Sequence, residues 1–586
     1  MTGSRDIGGG GADPPEVGGG NASSRQTGGV NAGSGENGGA NIRPQGHKVP
    51  GVRVIVSAVW VIGFMVLGKV LGLVKDVVVA AEYGTSASMD AFLVAFTIPL
   101  LISSWLRSPI RSGFVPLFTE GLERDGEATT WRSAGVFAGD LMAFAAVIAV
   151  AAFIFAPRIV SLVAPGFEAA DLALAASLVR IMIGSVLIGS LSGIMGDVLH
   201  CYGNFVLPEM KHPLRNVFLI AGATILTAAI GIRGLAYGFL AGSVAGILIQ
   251  SPFYWKHRAK IRLGLDLRHP MFLGVMRLAL PLFIGMAGAK FDDIIDRVFA
   301  SMLSEGSISG LSYAMRLIDI PREILIVGFS TVLFPFFSRV VARGEMDLFA
   351  DRFMSALRIA FFALFPMSVL IAFLGDPFVR VVFQRGAFDE QSVAFTVSAL
   401  LLYTPTLWAL GLTSVMISGF VAMKDTKTPV IVGLIRLGVK VGLIFALIGV
   451  FQHAGIALAT SVSHVFKLFL FLMMVPRDIR RGRYGKLFRG FGGVALSTGV
   501  MAAALYFVSP YFVRMGESGG LAIRVASLAA PAAVAAVVYL AAVSAMARDD
   551  LREAISVFRD GLRTMLAKAR NRGRDGGLPP LDDDAA

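Results

Sequence analysis

One stretch limits what this chain can become. Residues 54–81 read VIVSAVWVIGFMVLGKVLGLVKDVVVAA. That is longer than the ~20 apolar residues that cross a bilayer at about 1.5 Å per residue. Yet Lys69 lies near its middle, and Lys75 and Asp76 follow within two turns. A charge at membrane depth costs about 2.5–3.5 kcal/mol on insertion scales. It therefore faces a partner or a wet cavity, or it stretches its stem to the interface. For Lys75, nearer one end, both readings stand. For Lys69 the internal site is the stronger reading, and the rest of the chain must explain where it points.

Composition carries this character along the chain. Of 586 residues, 55% are hydrophobic and only 16% charged, with a mean hydropathy of +0.70. Soluble domains average about 25% charged residues. The chain reads as an all-α polytopic membrane protein. Its single cysteine, Cys201, excludes a disulfide framework and a cysteine metal cluster. The net charge is +13, yet residues 1–53 hold five Lys/Arg against four Asp/Glu, and residues 548–586 hold eight of each. The surplus lies in membrane segments and their joints. That suits orientation and an anionic ligand or lipid, and argues against a nucleic-acid-binding tail.

Residues 1–50 are a low-complexity run of Gly, Asn, Ser and Pro that cannot bury a core and reads as a tail. It has no apolar h-region, so the first membrane helix is expected to serve as the targeting signal. Fourteen apolar segments follow: 54–81, 89–115, 133–157, 172–202, 214–231, 234–255, 271–301, 307–338, 354–375, 391–423, 428–450, 454–475, 488–508 and 521–547. The joints at 256–277 and 477–489 are rich in Lys and Arg, whereas 301–306 has none and 509–520 only Arg514. Basic joints mark the cytoplasmic side, which puts both termini there. Residues 548–574 have the pattern of an amphipathic surface helix.

Charge recurs where lipid is expected. Arg107 and Arg111 flank Pro109 and share a helix face, either as a fork for an anionic group or as contacts to headgroups at the membrane edge. Lys290, Asp293 and Arg297 share one face and read mainly as a self-neutralising ladder, with Asp292 and Asp296 on another. Arg316 and Asp319 precede Pro321 deep in an apolar run, and Arg436 and Lys440 lie in GLIRLGVKVGLIF. With several cations and few unmatched acids, the economical expectation is a cationic internal cavity. No nucleotide loop, metal motif or nucleophile elbow appears, so neither cofactor, metal nor catalytic residue is expected. Transport, if any, draws on a gradient, a potential or mass action.

Several stretches resemble a known family. GKVLGLVKDVVVAAEYGTSASMDAFLVAFTIP, SYAMRLIDIPREILIVGFSTVLFPFFSR, FQRGAFDEQS, MKDTKTPVIVGLIRL and HAGIALATS, in that order, are similar to the MurJ/MviN family of the MOP exporter superfamily. The resemblance implies two six-helix lobes around a central cavity, here 51–255 and 256–475, then two further helices within 476–547 and a cytoplasmic tail, 548–586. It implies a flippase in the bacterial inner membrane that moves lipid II, an undecaprenyl-diphosphate-linked peptidoglycan precursor, by alternating access. Membrane lipids and cell-wall synthesis proteins are the implied partners. Lys69 and Lys75 stand where the family has arginines, Asp90 and Arg316 match residues it keeps, and Asp319 stands where an acid is common. The substrate-binding set is therefore Lys69, Lys75, Asp90, Arg107, Arg111, Arg316 and Asp319, with Lys290, Asp293, Arg297, Arg436 and Lys440 as further cavity charges. Helix two departs from the family, with Ser103 and Ser104 near its expected arginines. Arg436 and Lys440 disfavour a sodium site that some members have. The alternatives are a flippase for another lipid-linked oligosaccharide and a non-transporting membrane scaffold.

Overall fold

The computed structural model describes residues 51–548 apart from 259, 518 and 519, together with 551–553, 555, 556 and 559. The glycine-rich segment 1–50, most of 548–574 and the side chain of Lys290 lie outside the described residues. Within them the chain is all helix, with no strand. The helices are α1 (Gly51–Tyr83), α2 (Ala87–Arg124), α3 (Glu127–Ile154), α4 (Ala156–Val163), α5 (Ala169–Met182), α6 (Gly184–Cys201), α7 (Val206–Ala221), α8 (Thr227–Ile230), α9 (Arg233–Leu248), α10 (Ser251–His257), α11 (Pro270–Ala300), α12 (Ser307–Ala342), α13 (Met346–Phe383), α14 (Glu390–Ala422), α15 (Lys427–Met474), α16 (Arg477–Arg480), α17 (Tyr484–Glu517) and α18 (Leu521–Met546).

Ten helical stretches among the described residues are long and apolar enough to cross a membrane. Such spans are helical because lipid offers no partner for a free backbone amide or carbonyl. α1, α11 and α12 are of similar length but carry charges in mid-helix. α15, at 48 residues, far exceeds one bilayer. It breaks at Gln452, whose backbone sits at φ 51°, ψ −133°, between the apolar segments 428–450 and 454–475. Gly455 permits the tight bend: a Cβ there would lie 2.8 Å from the Leu447 carbonyl oxygen.

At one end of the bundle three turns meet. The α1–α2 turn donates to and accepts from the α13–α14 turn: Ala387 N–H bonds the Ala81 carbonyl at 2.7 Å, and the Thr85 and Ser392 hydroxyls are 2.9 Å apart. Gly84 (φ 53°) and Gly386 (φ 59°) supply left-handed backbone with no room for a side chain. The α11–α12 turn joins them through Glu305, which accepts the Ala87 N–H at 2.6 Å. Beneath lies an apolar core running from Val79, Phe92 and Leu235 to Leu311, Phe383 and Leu407. This end of the molecule is closed.

α11 belongs to two neighbourhoods. Its first half lies along α2, where Gly113 admits the Val275 backbone and Trp105 Nε1 donates to the Phe283 carbonyl at 3.3 Å. Its second half is tied to α15 through Asp292 and Asp296. Pro281 separates the two halves, removing one rung of the helical ladder.

Candidate functional site

Below the closed end is a cavity of about 530 Å³, lined from α1, α2, α11, α12 and α14. Its charged walls are Lys75 and Asp76, Asp293, Asp296 and Arg297, and Arg316 and Asp319. Thr97 and Ser104 of α2 and Tyr403 of α14 add hydroxyls, and Phe92, Leu100 and Leu311 add apolar surface. The expectation of a cationic chamber with few acids is corrected here: among these residues three cations face four carboxylates. Of the predicted cations Lys75, Arg297 and Arg316 line the cavity, each engaged with a partner.

The tightest of these arrangements joins two helices distant in sequence. Asp76 on α1 accepts from Arg316 Nε on α12 at 2.7 Å and forms an ion pair with Lys75 on its other oxygen. Asp76 is nearly buried, whereas the Arg316 side chain is 46% exposed. The carboxylate thus holds two cations against the cavity wall, with guanidinium donors left over. One turn beyond Arg316, Asp319 pairs with Arg322 at 2.6 Å. Lys69 does not line the cavity. Its side chain is 66% exposed and pairs with Glu323, two turns along α12 from Arg316. Lys69 and Arg316 therefore share the α1–α12 seam.

The other predicted residues separate into three places. Asp90 lies in the closed end, where its two oxygens accept the Gly306 N–H at 2.9 Å and the Ser309 N–H at 2.7 Å. It caps the first turn of α12, where amides lack intrahelical partners and the helix dipole favours an anion. Arg107 and Arg111 are absent from the cavity wall. Arg111 donates to His200 at 2.8 Å and lies 3.4 Å from Asp197, both on α6, and Arg107 lines a separate void of about 20 Å³ beside Asp197. Arg436 and Lys440 are buried against α11. Arg436 is 3.0 Å from Asp292, and Lys440 is 2.8 Å from both Asp292 and Asp296. The Lys440 side chain is fully inaccessible.

On α11 the side chain of Lys290 lies outside the described residues, and the neighbouring charges reach partners on other helices. Asp292 and Asp296 find cations on α15, and Arg297 donates to the Ser312 hydroxyl at 2.8 Å and the Ile308 carbonyl at 3.3 Å on α12. Asp293 faces the cavity. Among residues outside the predicted set, Asp76 and Asp296 are the notable additions to the wall. Glu323 was hidden because its partner lies across a helix seam. Lys211 and Arg215 were missed although they repeat the Arg107–Pro109–Arg111 pattern around Pro213. Arg215 stacks over Phe239 at 5.9 Å, and its close approach is permitted by Gly242.

The chemistry on offer is anion capture at a half-open, charge-paired wall, with apolar surface alongside. Comparison with known proteins agrees with the fold. The family profile described as lipid II flippase MurJ matches residues 79–547. A Burkholderia cenocepacia protein, "Lipid II flippase MurJ", is 29% identical over 489 residues, covering 81% of this chain and 94% of its own. A "Probable lipid II flippase MurJ" of Buchnera aphidicola is 29% identical over 402 residues, covering 68% and 79%. A solved structure of lipid II flippase MurJ in an inward closed conformation superposes with a TM-score of 0.69 at 24% identity, covering 84% of this chain and 99% of that one. An inward-facing multidrug resistance MATE transporter of the MOP superfamily reaches 0.60 at 15% identity, covering 70% and 94%. With its fold shared and most of its length matched, the chain belongs to the MurJ lipid II flippase family.

Proposed function

We propose that this protein moves a polyprenyl-diphosphate-linked peptidoglycan precursor, lipid II, across the inner membrane by alternating access. The single observation that carries the reading is the Lys75–Asp76–Arg316 group on the cavity wall. A guanidinium presents a planar fork suited to diphosphate oxygens, and Lys75 adds a point charge beside it. Asp76 holds both cations. An incoming diphosphate offers more oxygens and more charge and competes with Asp76 for the same donors. Taking Arg316 from Asp76 removes an ion pair that ties α1 to α12, so ligand capture loosens the seam between the lobes. Ser104, Thr97 and Asp319 line the same cavity, and on this reading they meet the hydrated sugar-peptide head while the prenyl tail stays in lipid.

Lys69 extends the cationic line along the same seam toward the exposed end and guides the headgroup inward. Asp90 acts on transport through the gate, since its carboxylate closes the far end by capping α12. The basic joints orient the chain with both termini in the cytoplasm, which makes the closed end periplasmic. A flippase for another lipid-linked oligosaccharide is the second reading, favoured by the serines of α2 where the resemblance leads one to expect arginines.

The test is complementation of a strain depleted of its lipid II flippase. Arg316→Ala and Lys75→Ala should insert normally and fail to support growth, whereas Arg111→Ala should be close to wild type because Arg111 faces α6. Full growth of Arg316→Ala overturns the binding role. Failure of the wild-type chain to rescue, together with rescue of an exopolysaccharide flippase mutant, moves the substrate to the second reading.

A further inference from the structure

The connector between α10 and α11 carries a geometry that transport does not explain. From Ile261 to Asp266 it runs without helix along the side of α3. Gly135 and Gly139 make this possible: a Cβ on Gly135 would collide with the Arg262 carbonyl, and one on Gly139 with the Gly264 carbonyl. Beside them the fully buried Asp140 accepts the Asp266 N–H at 2.8 Å. Asp140 lies in the apolar span of α3, about 10 Å along the helix from residue 133, where the apolar segment begins, at 1.5 Å per residue. Non-helical backbone at membrane depth persists only where protein satisfies its polar groups. The two glycines let the connector lie close against α3, and the aspartate satisfies one of its backbone amides.

Extended chain turns alternate residues to opposite sides. Gly264 and Asp266 meet α3 through their backbone, and Leu263, Leu265 and Leu267 are exposed, at 76%, 74% and 60%. Three bare leucines in a row on a non-helical connector are unfavourable in water and favourable against acyl chains. Arg258, Arg262 and Arg268 are exposed alongside. Of the local acids, Glu127 pairs with Lys260 at 2.6 Å, and Asp266, which accepts the Arg268 backbone N–H at 3.0 Å, is one negative charge against the three arginines. Trp255, at the start of the connector, is also exposed, as aromatic residues at a membrane–water boundary commonly are.

We propose that residues 258–268 form a binding site for anionic phospholipid, with the leucine row in the acyl layer of the leaflet and the three arginines on lipid phosphates. The occupant is a lipid leaflet because the connector lies against an apolar span, the exposed row is purely aliphatic, and the flanking charge is cationic. Because this connector joins the two lobes, lipid held there anchors the N-lobe end of the joint while α11 moves. The proposal is independent of which lipid-linked substrate is carried.

The experiment uses the full chain in bilayers of phosphatidylcholine with and without phosphatidylglycerol. A spin label at Leu265→Cys in a Cys201→Ser background should be accessible to oxygen and shielded from a water-soluble nickel chelate, more so with phosphatidylglycerol. A label open to the nickel chelate in both bilayers overturns the site, and one shielded from both reagents shows a protein covering instead, which also overturns it. Without any cysteine change, native mass spectrometry of the wild type should retain phosphatidylglycerol. The triple variant Arg258→Gln, Arg262→Gln, Arg268→Gln should lower that preference by up to about a hundredfold, at roughly fivefold per arginine beside an anionic surface. Equal retention by both proteins sinks the proposal.

Discussion

Two charged groups sit in the same membrane-embedded bundle and teach different lessons. At the cavity wall, Asp76 holds Lys75 and Arg316, and the arginine remains nearly half exposed. Beside it, Asp292 and Asp296, the latter also on the cavity wall, hold Arg436 and Lys440, and the lysine is wholly enclosed. Both place cations in apolar helices, and the sequence signal for them is the same. They differ in balance and access. The enclosed group has two carboxylates for two cations and joins α11 to α15 like a rivet. The wall group has one carboxylate for two cations, which leaves donors turned toward a cavity that a ligand can enter. On the proposed function, it is the shortfall of acid around Lys75 and Arg316 that separates a binding group from a structural one.

The largest expected effect separates these groups directly. Lys440→Ala should cost about 3–5 kcal/mol, because it leaves Asp296 without its ion-pair partner while Asp292 keeps only Arg436. The protein should melt earlier in detergent and reach the membrane in reduced amount. Arg316→Ala should leave melting nearly unchanged, since Asp76 keeps Lys75. Equal destabilisation by both would erase the distinction. Adding Asp296→Asn to Lys440→Ala should recover part of the loss by removing one stranded charge.

Much of the architecture was legible from hydropathy, because lipid demands helices of a minimum length. The bend of α15 was legible as a polar joint near Gln452. Pairing was harder to read. Helical spacing groups Lys290, Asp293 and Arg297 on one face of α11, because it reports neighbours on the same helix only. The true partners of Asp292 and Asp296 come from α15, some 140 residues later, and nothing local in the sequence announces that seam. Asp76 was hidden in another way. It is adjacent to Lys75, and neighbouring residues on a helix point to different sides, so its hold on Arg316 becomes visible only when α12 is in place. Arg107 and Arg111 illustrate the reverse: a correct helix face aimed at α6 and not at the cavity. Lys211 and Arg215 were lost because a hydropathy boundary was drawn at residue 214, through the middle of the pair.

The closed end extends the comparison, because Asp90 is another buried acid whose partners are amides and not cations. Asp90→Ala removes two charge-assisted hydrogen bonds and leaves the first turn of α12 uncapped, for about 2 kcal/mol. Its readout is gating. A cysteine at Ser304 should become more reactive to a membrane-impermeant maleimide added from outside. Reactivity unchanged from the parent would mean the cap does not hold this end shut.

A smaller effect with an opposite sign tests the one-acid, two-cation wall. If Asp76 is the anion that occupies the site when it is empty, Asp76→Asn should bind undecaprenyl diphosphate about tenfold more tightly, the scale of one charge-assisted hydrogen bond no longer in competition. Lipid transport should nonetheless fall, since the seam no longer re-forms on release. Weaker binding would assign Asp76 a purely structural role.

The smallest effect concerns a cap outside the spans. Asp389 precedes α14 and accepts the Ser392 N–H at 2.9 Å. Its carboxyl is held below the usual range by hydrogen bonds from Ser392, chiefly its backbone amide. The sign follows from linkage: a carboxylate with a depressed folded pKa stabilises above its unfolded value, about 3.9, and loses that contribution as pH falls through the lower folded value. Asparagine caps a helix without titrating. Wild type should therefore lose slightly more thermal stability between pH 6 and pH 3 than Asp389→Asn, by less than about 1 kcal/mol. The same variant at the enclosed group, Asp292→Asn, should lose stability at every pH in that range, because it leaves Arg436 and Lys440 with one carboxylate between them. A solvated acid and an enclosed one then differ in the shape of the pH profile as well as in its depth.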